Sequence, residues 1–70
     1  MENMLSWEDT YALAHRLMER FPNISLSAVS LDMIYHWVIE LPDFSDDFEL
    51  ANDEILRAIY QEWYEEANPL

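Results

Sequence analysis

The chain has 70 residues, and its 15 Asp and Glu side chains face three Arg and no Lys, for a formal net charge of −12. This charge disfavours nucleic acid and anionic membranes as partners, while a hydrophobic content of 51% argues for one small folded domain and against a disordered tail. The absence of Cys excludes disulfides, clusters held on thiolates and covalent transfer of sulfur.

The sequence contains no sign of export or of membrane insertion. Its first residues lack the basic region and the apolar run of a secretory signal peptide. No apolar stretch approaches the roughly 20 residues that a helix needs to span a bilayer. We therefore expect a cytoplasmic protein.

The first predicted helix covers residues 7–21. Ser6 stands three residues before Asp9, which is the spacing of a capping box at a helix start. Pro22 ends the helix because it disfavours the helical conformation of the residue before it. Apolar residues recur in steps of three and four, as on one helical face, at Tyr11, Ala14, Met18 and Phe21, with Leu13 and Leu17 beside them.

The next segment, residues 23–31, alternates loosely between polar and apolar side chains, which predicts an extended connector pinned to the core. Asp32 is a favourable N-cap for a second helix over residues 33–41. Pro42 follows the end of that helix. Its buried stripe is predicted at Ile34, Trp37, Val38 and Leu41.

An acidic loop, residues 43–49, leads to the third predicted helix. Asn52 is a favourable N-cap, and Asp53 and Glu54 in the first turn complement the helix dipole. The apolar stripe of this helix is Ile55, Ile59 and Trp63, flanked by Leu56 and Tyr60.

Together these elements predict an all-α fold. We expect a compact three-helix domain, helix-turn-helix or winged-helix-like, with an extended connector between helices 1 and 2. The single domain is expected over residues 1–70, with its core at about 6–67 and frayed termini.

Carboxylates crowd the acidic loop and the start of the third helix. Crowded carboxylates repel one another, and a cation or an Arg-rich partner relieves that repulsion. Oxygen ligands suit Ca²⁺, Mg²⁺, Mn²⁺ and, less selectively, Fe²⁺, whereas the alternative is a solvated loop that only keeps the protein soluble. An EF-hand calcium loop is disfavoured because Phe48 occupies the position that needs Gly for the sharp turn.

Several aromatic residues could serve either the core or a partner. Phe44 and Phe48 both lie in the acidic loop, and either both turn inward or at least one stays exposed as an apolar anchor. Core packing explains the three Trp residues, although Trp7, between Ser6 and Glu8, is expected to be partly exposed.

Catalysis is not expected. The sequence has no Cys, no Lys and no Gly-rich loop, and so short a chain leaves little room for a dry pocket. His15 and His36 lie far apart and lack a partner at a metal-binding helical spacing, so we interpret both as ordinary surface residues.

The order and spacing of these residues resemble the small acidic IscX (YfhJ) proteins of bacterial iron–sulfur cluster assembly. The similarity covers residues 7–66 without insertions. The chain departs from the family pattern at Phe48, where the family usually has Pro. It departs again at Met33 and Tyr35, where the family has an Asp and a His. The residues that carry the resemblance are Trp7, Asp9, Leu17, Phe21, Pro22, Val29, Trp37, Leu41, Asp43, Phe44, Asp46, Asp47, Asn52, Asp53, Ile55, Leu56, Ala58, Ile59, Trp63, Glu65 and Glu66.

The resemblance implies a monomeric, winged-helix-like protein that binds the cysteine desulfurase of the pathway and modulates its output, in competition with the bacterial frataxin. It also implies weak binding of ferrous iron, with no tightly bound cofactor. The residues expected to bind the partner are Trp7, Asp9, Asp43, Phe44, Asp46, Asp47, Asp53, Glu65 and Glu66. The carboxylates expected to bind metal weakly are Asp43, Asp46, Asp47 and Glu49.

Two other functions stay open at this point. The chain could be primarily a metal-binding module, either an iron donor or sensor or a Ca²⁺ binder. It could also be an acidic mimic of nucleic acid that occupies a DNA-binding protein, because the same charge would serve that purpose.

Overall fold

The computed structural model describes residues 4–68 and contains three α-helices there. They are α1 (Thr10–Arg20), α2 (Leu31–Ile39) and α3 (Asp53–Ala67). Short 3₁₀ turns at Leu26–Ala28 and Phe48–Leu50 lie in the two connections between helices. Within the described residues no β-strand forms, so the predicted all-α, three-helix class is confirmed.

The core lies where the three helices meet, and every buried side chain among residues 4–68 is apolar. Removing such side chains from water is the main favourable term in folding, on the order of 1.5–3 kcal/mol for each Val, Leu, Ile or Phe. The helices contribute Leu13, Ala14, Leu17, Ile34, Val38, Leu56, Ile59 and Trp63. The N-terminal segment adds Leu5 and Trp7, and the connections between helices add Leu26, Leu41 and Phe44.

The buried face of α1 differs from the predicted stripe. It is centred on Leu13, Ala14 and Leu17, whereas Tyr11 is 58% exposed. Two residues correspond to about 200° around a helix, so a core centred on Leu13 turns Tyr11 towards solvent. There its ring packs against His15, with the ring centroids 4.2 Å apart.

The start of α1 also differs from the prediction, because the helix begins at Thr10 and not at Trp7. The Asp9 carboxylate turns back and accepts hydrogen bonds from the Ser6 amide at 2.8 Å and the Ser6 hydroxyl at 3.2 Å. The two residues therefore close a separate turn ahead of the helix. At the other end, Phe21 is the C-cap and Pro22 follows, as predicted.

The cap of α2 is Ser30, where the sequence predicted Asp32. The Ser30 hydroxyl accepts a hydrogen bond from the Met33 amide at 3.2 Å, and Asp32 lies within the first helical turn. The helix consequently begins and ends two residues earlier than expected. The connector before it is extended at Ser25 and Val29 but is interrupted by the Leu26–Ala28 turn.

The predicted cap of α3 is confirmed, since the Asn52 side-chain oxygen accepts a hydrogen bond from the Ile55 amide at 2.8 Å. Asn68 closes the helix, and its amide donates to the Tyr64 carbonyl at 3.0 Å. The prediction of frayed termini otherwise concerns residues 1–3 and 69–70, which lie outside the described range.

Aromatic contacts join the elements at two places. Trp37 lies between Phe21 and Trp63, with ring centroids 4.3 and 6.2 Å away. The Tyr60 hydroxyl donates to the Leu26 carbonyl at 3.1 Å and so fastens the connector to α3. None of the helices in the described part of the chain is long and apolar enough to cross a membrane.

Candidate partner-binding surface

The acidic loop is held by the N-terminal segment of the chain. Leu5 and Phe44 form an isolated parallel bridge. The Leu5 amide donates to the Asp43 carbonyl and the Ser45 amide donates to the Leu5 carbonyl, both at 2.8 Å. The loop is therefore a folded part of the domain, with an edge that is paired along its first half.

Trp7 fastens the second half of the loop. Its indole nitrogen donates to the Asp47 carbonyl at 2.8 Å, and its ring stacks on Tyr35 and meets Phe44 edge-on at a centroid distance of 4.8 Å. Only 2% of Trp7 is exposed, so the prediction of partial exposure is wrong. The reason is tertiary, because the ring fills the space between α2 and the loop.

Two loop carboxylates act as hydrogen-bond acceptors for the backbone. Asp46 accepts from the Trp7 amide at 3.0 Å and from the Asp47 amide at 2.7 Å. Asp47 accepts from the Glu49 amide at 3.0 Å and thereby caps the Phe48–Leu50 turn. These carboxylates determine the shape of the loop, whatever else they bind.

Asp43 is neutralised within the molecule. Its Oδ2 atom lies 2.6 Å from an Arg16 guanidinium nitrogen, and both of its carboxylate oxygens are buried. The sequence did not indicate this pair, because Arg16 lies 27 positions earlier, on α1, whereas Asp43 lies in the loop after α2. Asp43 therefore presents less charge to a partner than its place in the acidic loop suggested.

The two aromatic residues of the loop have opposite environments. Phe44 is 9% exposed and belongs to the core, whereas Phe48 is 48% exposed. The alternative in which at least one aromatic side chain stays exposed is the one that the structure supports. Leu50, which the sequence did not single out, is 56% exposed two residues further on.

The exposed acids near Trp7 come from two distant segments of the chain. Glu8 and Asp9 follow Trp7 directly, and Trp7 is hydrogen-bonded to Asp46 and to the backbone of Asp47. We call Glu8, Asp9, Asp47 and Glu49, all of which are exposed, the acidic face. Sequence reasoning included Asp9 and Asp47 in the partner site but omitted Glu8, because the tertiary contacts of Leu5 and Trp7 bring its segment next to the loop.

The remaining predicted partner residues lie on α3. Asp53 is exposed in its first turn, whereas Glu65 and Glu66 lie near its end, about 18 Å away along the helix axis. The Glu65 carboxylate accepts a hydrogen bond from Gln61 at 3.0 Å. The nine residues predicted to bind the partner thus include two buried aromatic residues, and three of the seven acids among them lie at the two ends of α3.

A second group of acids surrounds the end of α3. The pKa of the Glu62 carboxyl is raised above its ordinary value, first by desolvation, then by a hydrogen bond to Glu66 and by the charges of Glu66 and Glu65, while His15 opposes the shift. The Glu66 carboxylate lies 3.6 Å from the His15 Nε2 atom. His15 is half-buried, and its contact with Glu66 is longer than a hydrogen bond. His36 is exposed as predicted, but the prediction that it lacks a partner at helical spacing is wrong, because the Asp32 Oδ2 atom, one turn earlier on α2, lies 3.6 Å from its Nε2 atom.

No three acidic or His side chains within residues 4–68 converge into an arrangement that could hold a metal ion. Of the four predicted ligands, Asp43 faces Arg16, while Asp46 and Asp47 accept backbone hydrogen bonds. Glu49 is exposed. Weak metal binding at these four carboxylates stays a prediction.

Comparisons with known proteins identify the family. The family model described as "Iron-sulphur cluster assembly" matches residues 5–68. The chain is also 37% identical over 62 residues to a Pseudomonas aeruginosa protein named "Uncharacterized protein PA3808", and the alignment covers 89% of this chain and 94% of that protein. These matches extend over nearly the whole domain, and the protein therefore belongs to the iron–sulfur cluster assembly family, in agreement with its resemblance to the small acidic IscX proteins.

Proposed function

We propose that this protein is a non-catalytic acidic adaptor of iron–sulfur cluster assembly that binds and regulates the cysteine desulfurase. Membership of the family supports a role in iron–sulfur cluster assembly. The net charge of −12 and the absence of Cys support a role in which the protein docks on a basic surface and carries no sulfur itself.

The observation that carries the proposal is the acidic face. Trp7 joins the segment that bears Glu8 and Asp9 to the loop that bears Asp47 and Glu49, so the two chain segments that carry these four exposed acids lie side by side. Arg16, which contacts the loop, is paired with Asp43 there. Such an arrangement fits a partner surface rich in Arg and Lys.

The association should depend strongly on ionic strength. Exposed ion pairs contribute only about 0–1 kcal/mol each, so the affinity is collective. Long-range attraction raises the association rate and is screened within about 10 Å at 0.1 M salt. If this protein and the bacterial frataxin bind the same basic patch of the desulfurase, the two proteins compete for it.

The test compares two charge reversals that change the net charge equally. Glu8→Lys/Glu49→Lys alters the acidic face at side chains for which no structural role is seen, and Glu19→Lys/Glu40→Lys alters exposed positions near the end of α1 and at the C-cap of α2. Reversal at Asp43, Asp46 and Asp47 is unsuitable, because these carboxylates also hold the loop. Binding to immobilised desulfurase is measured at low and high salt.

We expect the acidic-face double variant to lose at least about tenfold in affinity, which corresponds to 1.4 kcal/mol, and the second double variant to lose much less. Equal losses would show that only net charge matters. If the wild-type protein does not bind the desulfurase at low salt, the adaptor proposal is wrong.

Weak binding of ferrous iron, carried as cargo, forms the second part of the proposal. Exposed carboxylates supply the oxygen ligands that Fe²⁺ accepts, and Glu49 is the predicted ligand for which the structure shows no other role. An anaerobic Fe²⁺ titration followed by amide NMR should broaden signals around residues 46–49 first. Uniform, weak changes at every acidic position would contradict a localised site.

A further inference from the structure

The short turn Phe48–Leu50 carries two large apolar side chains that the core does not use. Phe48 is 48% exposed and Leu50 is 56% exposed, although Phe44, only four residues earlier, is buried. Folding does not require apolar side chains at these two exposed positions. Both side chains are carried by one three-residue turn, and neighbouring exposed apolar side chains are a feature of interaction sites.

The backbone beneath these side chains is held firmly. The Asp47 carbonyl accepts from the Trp7 indole at 2.8 Å and from the Leu50 amide at 3.1 Å. The Asp47 carboxylate accepts from the Glu49 amide, and Asn52 caps α3 immediately afterwards. Because the turn is ordered before any partner arrives, binding through Phe48 and Leu50 loses little backbone entropy.

The surroundings of the turn indicate the chemistry of the partner. Asp47 precedes Phe48, Glu49 separates it from Leu50, and Asp53 and Glu54 follow, all of them exposed. A second copy of this chain carries the same charge of −12 and would be repelled. The complementary surface is an apolar pocket bordered by Arg and Lys.

We propose that Phe48 and Leu50 are the apolar anchors of the partner interface and enter a hydrophobic pocket within the basic patch of the desulfurase. This inference rests on the proposed function and adds the residues that supply affinity. Interfaces of this kind have a few buried apolar contacts at the centre and charged groups at the rim. The acidic face speeds the encounter, and the anchors slow dissociation.

The test uses Phe48→Ala/Leu50→Ala, with Tyr11→Ala/Tyr64→Ala as the matched control. Tyr11 and Tyr64 are 58% and 52% exposed, so the control also removes two large, exposed side chains. Binding kinetics with the desulfurase are measured at two salt concentrations, and urea unfolding checks that each variant folds. The single variant Phe48→Leu, which keeps an apolar side chain, serves as the rescue.

We expect Phe48→Ala/Leu50→Ala to raise Kd at least about tenfold through faster dissociation, with the salt dependence of association unchanged. Phe48→Leu should retain most of the affinity, and the Tyr control should bind like the wild type. In the unmodified protein, the Phe48 ring and Leu50 methyl NMR signals should shift on complex formation.

The inference is overturned if the wild-type protein binds while Phe48→Ala/Leu50→Ala binds equally well, or if the Phe48 and Leu50 signals of the wild type do not change in the complex. That result leaves the adaptor proposal standing. Absence of any wild-type binding overturns both, and the two failures are thus distinguishable.

Discussion

Asp46 shows how a single carboxylate can be structural although it lies in a highly charged loop. It accepts hydrogen bonds from two backbone amides, and one of these belongs to Trp7, 39 positions away in the chain. The sequence offers no means of separating it from neighbours such as Glu49. The difference arises because the Asp46 carboxylate accepts a hydrogen bond from the N-terminal segment, whereas the Glu49 side chain is exposed.

Asp46→Ala should therefore destabilise the protein, whereas Glu49→Ala should not. We expect the first variant to lose about 1–3 kcal/mol of unfolding free energy, since hydrogen bonds to a charged acceptor are removed. The matched control should stay within about 0.5 kcal/mol of the wild type. Urea denaturation followed by Trp fluorescence measures both, and equal effects would contradict the structural role of Asp46.

The raised pKa of the Glu62 carboxyl implies that its ionised form disfavours the folded state. Its pKa is raised in the folded protein by desolvation and by Glu66 and Glu65. Above this raised pKa the folded state carries an unfavourable charge that the unfolded state carries without penalty. Below the ordinary pKa both states are protonated and the penalty disappears.

Glu62→Gln is consequently expected to raise Tm at neutral pH, and the gain should shrink as the pH falls to about 4, near the ordinary pKa of Glu. The control is Glu19→Gln, which removes one exposed negative charge from α1. Thermal unfolding at several pH values provides the measurement. A gain that is the same at every pH, or equal to that of the control, would be inconsistent with the shifted pKa.

At the scale of the helices, the start of α2 depends on Ser30. Its hydroxyl accepts the Met33 amide hydrogen bond, while Asp32, in the first turn, lies 3.6 Å from His36 and is well exposed. Both residues favour a helix start, but only the residue with an extended backbone directly before the helix can cap it.

Replacing Ser30 by Ala should cost about 1 kcal/mol, as for other N-cap residues. Asp32→Ala should cost less, because an exposed acid in the first turn contributes only about 0.3–1 kcal/mol through the helix dipole. Urea unfolding of the two variants, with Ser45→Ala as an exposed control, decides between the caps. A larger loss of unfolding free energy for Asp32→Ala than for Ser30→Ala would indicate that Asp32 is the cap, as the sequence predicted.

On the scale of the whole molecule, a charge of −12 on 70 residues acts against the compact state. Only one Arg–carboxylate pair, Arg16 with Asp43, forms within the described residues. Self-repulsion is therefore offset by the apolar core more than by ion pairs.

Added salt should raise Tm, because it screens this repulsion, with most of the change between about 10 mM and 0.5 M NaCl. The same salt should weaken binding to the basic partner. Thermal unfolding and binding measured in one buffer series test both directions. A Tm that falls with salt would mean that favourable charge pairs outweigh the repulsion.

Local patterns predicted much of this structure correctly. The stop at Pro22, the cap at Asn52 and the burial of Ile34, Val38, Ile59 and Trp63 follow from backbone preferences and helical spacing. The family resemblance was also visible in the chain, and the family match confirms it.

The sequence by itself thus determined the fold class and the chemical character of the protein, through three amphipathic segments, a large negative charge and the absence of thiols. Only the tertiary structure decided which residues form the surface. Contacts between segments 27 or more positions apart bury Trp7, pair Asp43 with Arg16 and leave Phe48 exposed while Phe44 is buried. The residues next to each of these positions in the sequence do not predict such contacts, because the contacts form only when the whole chain packs.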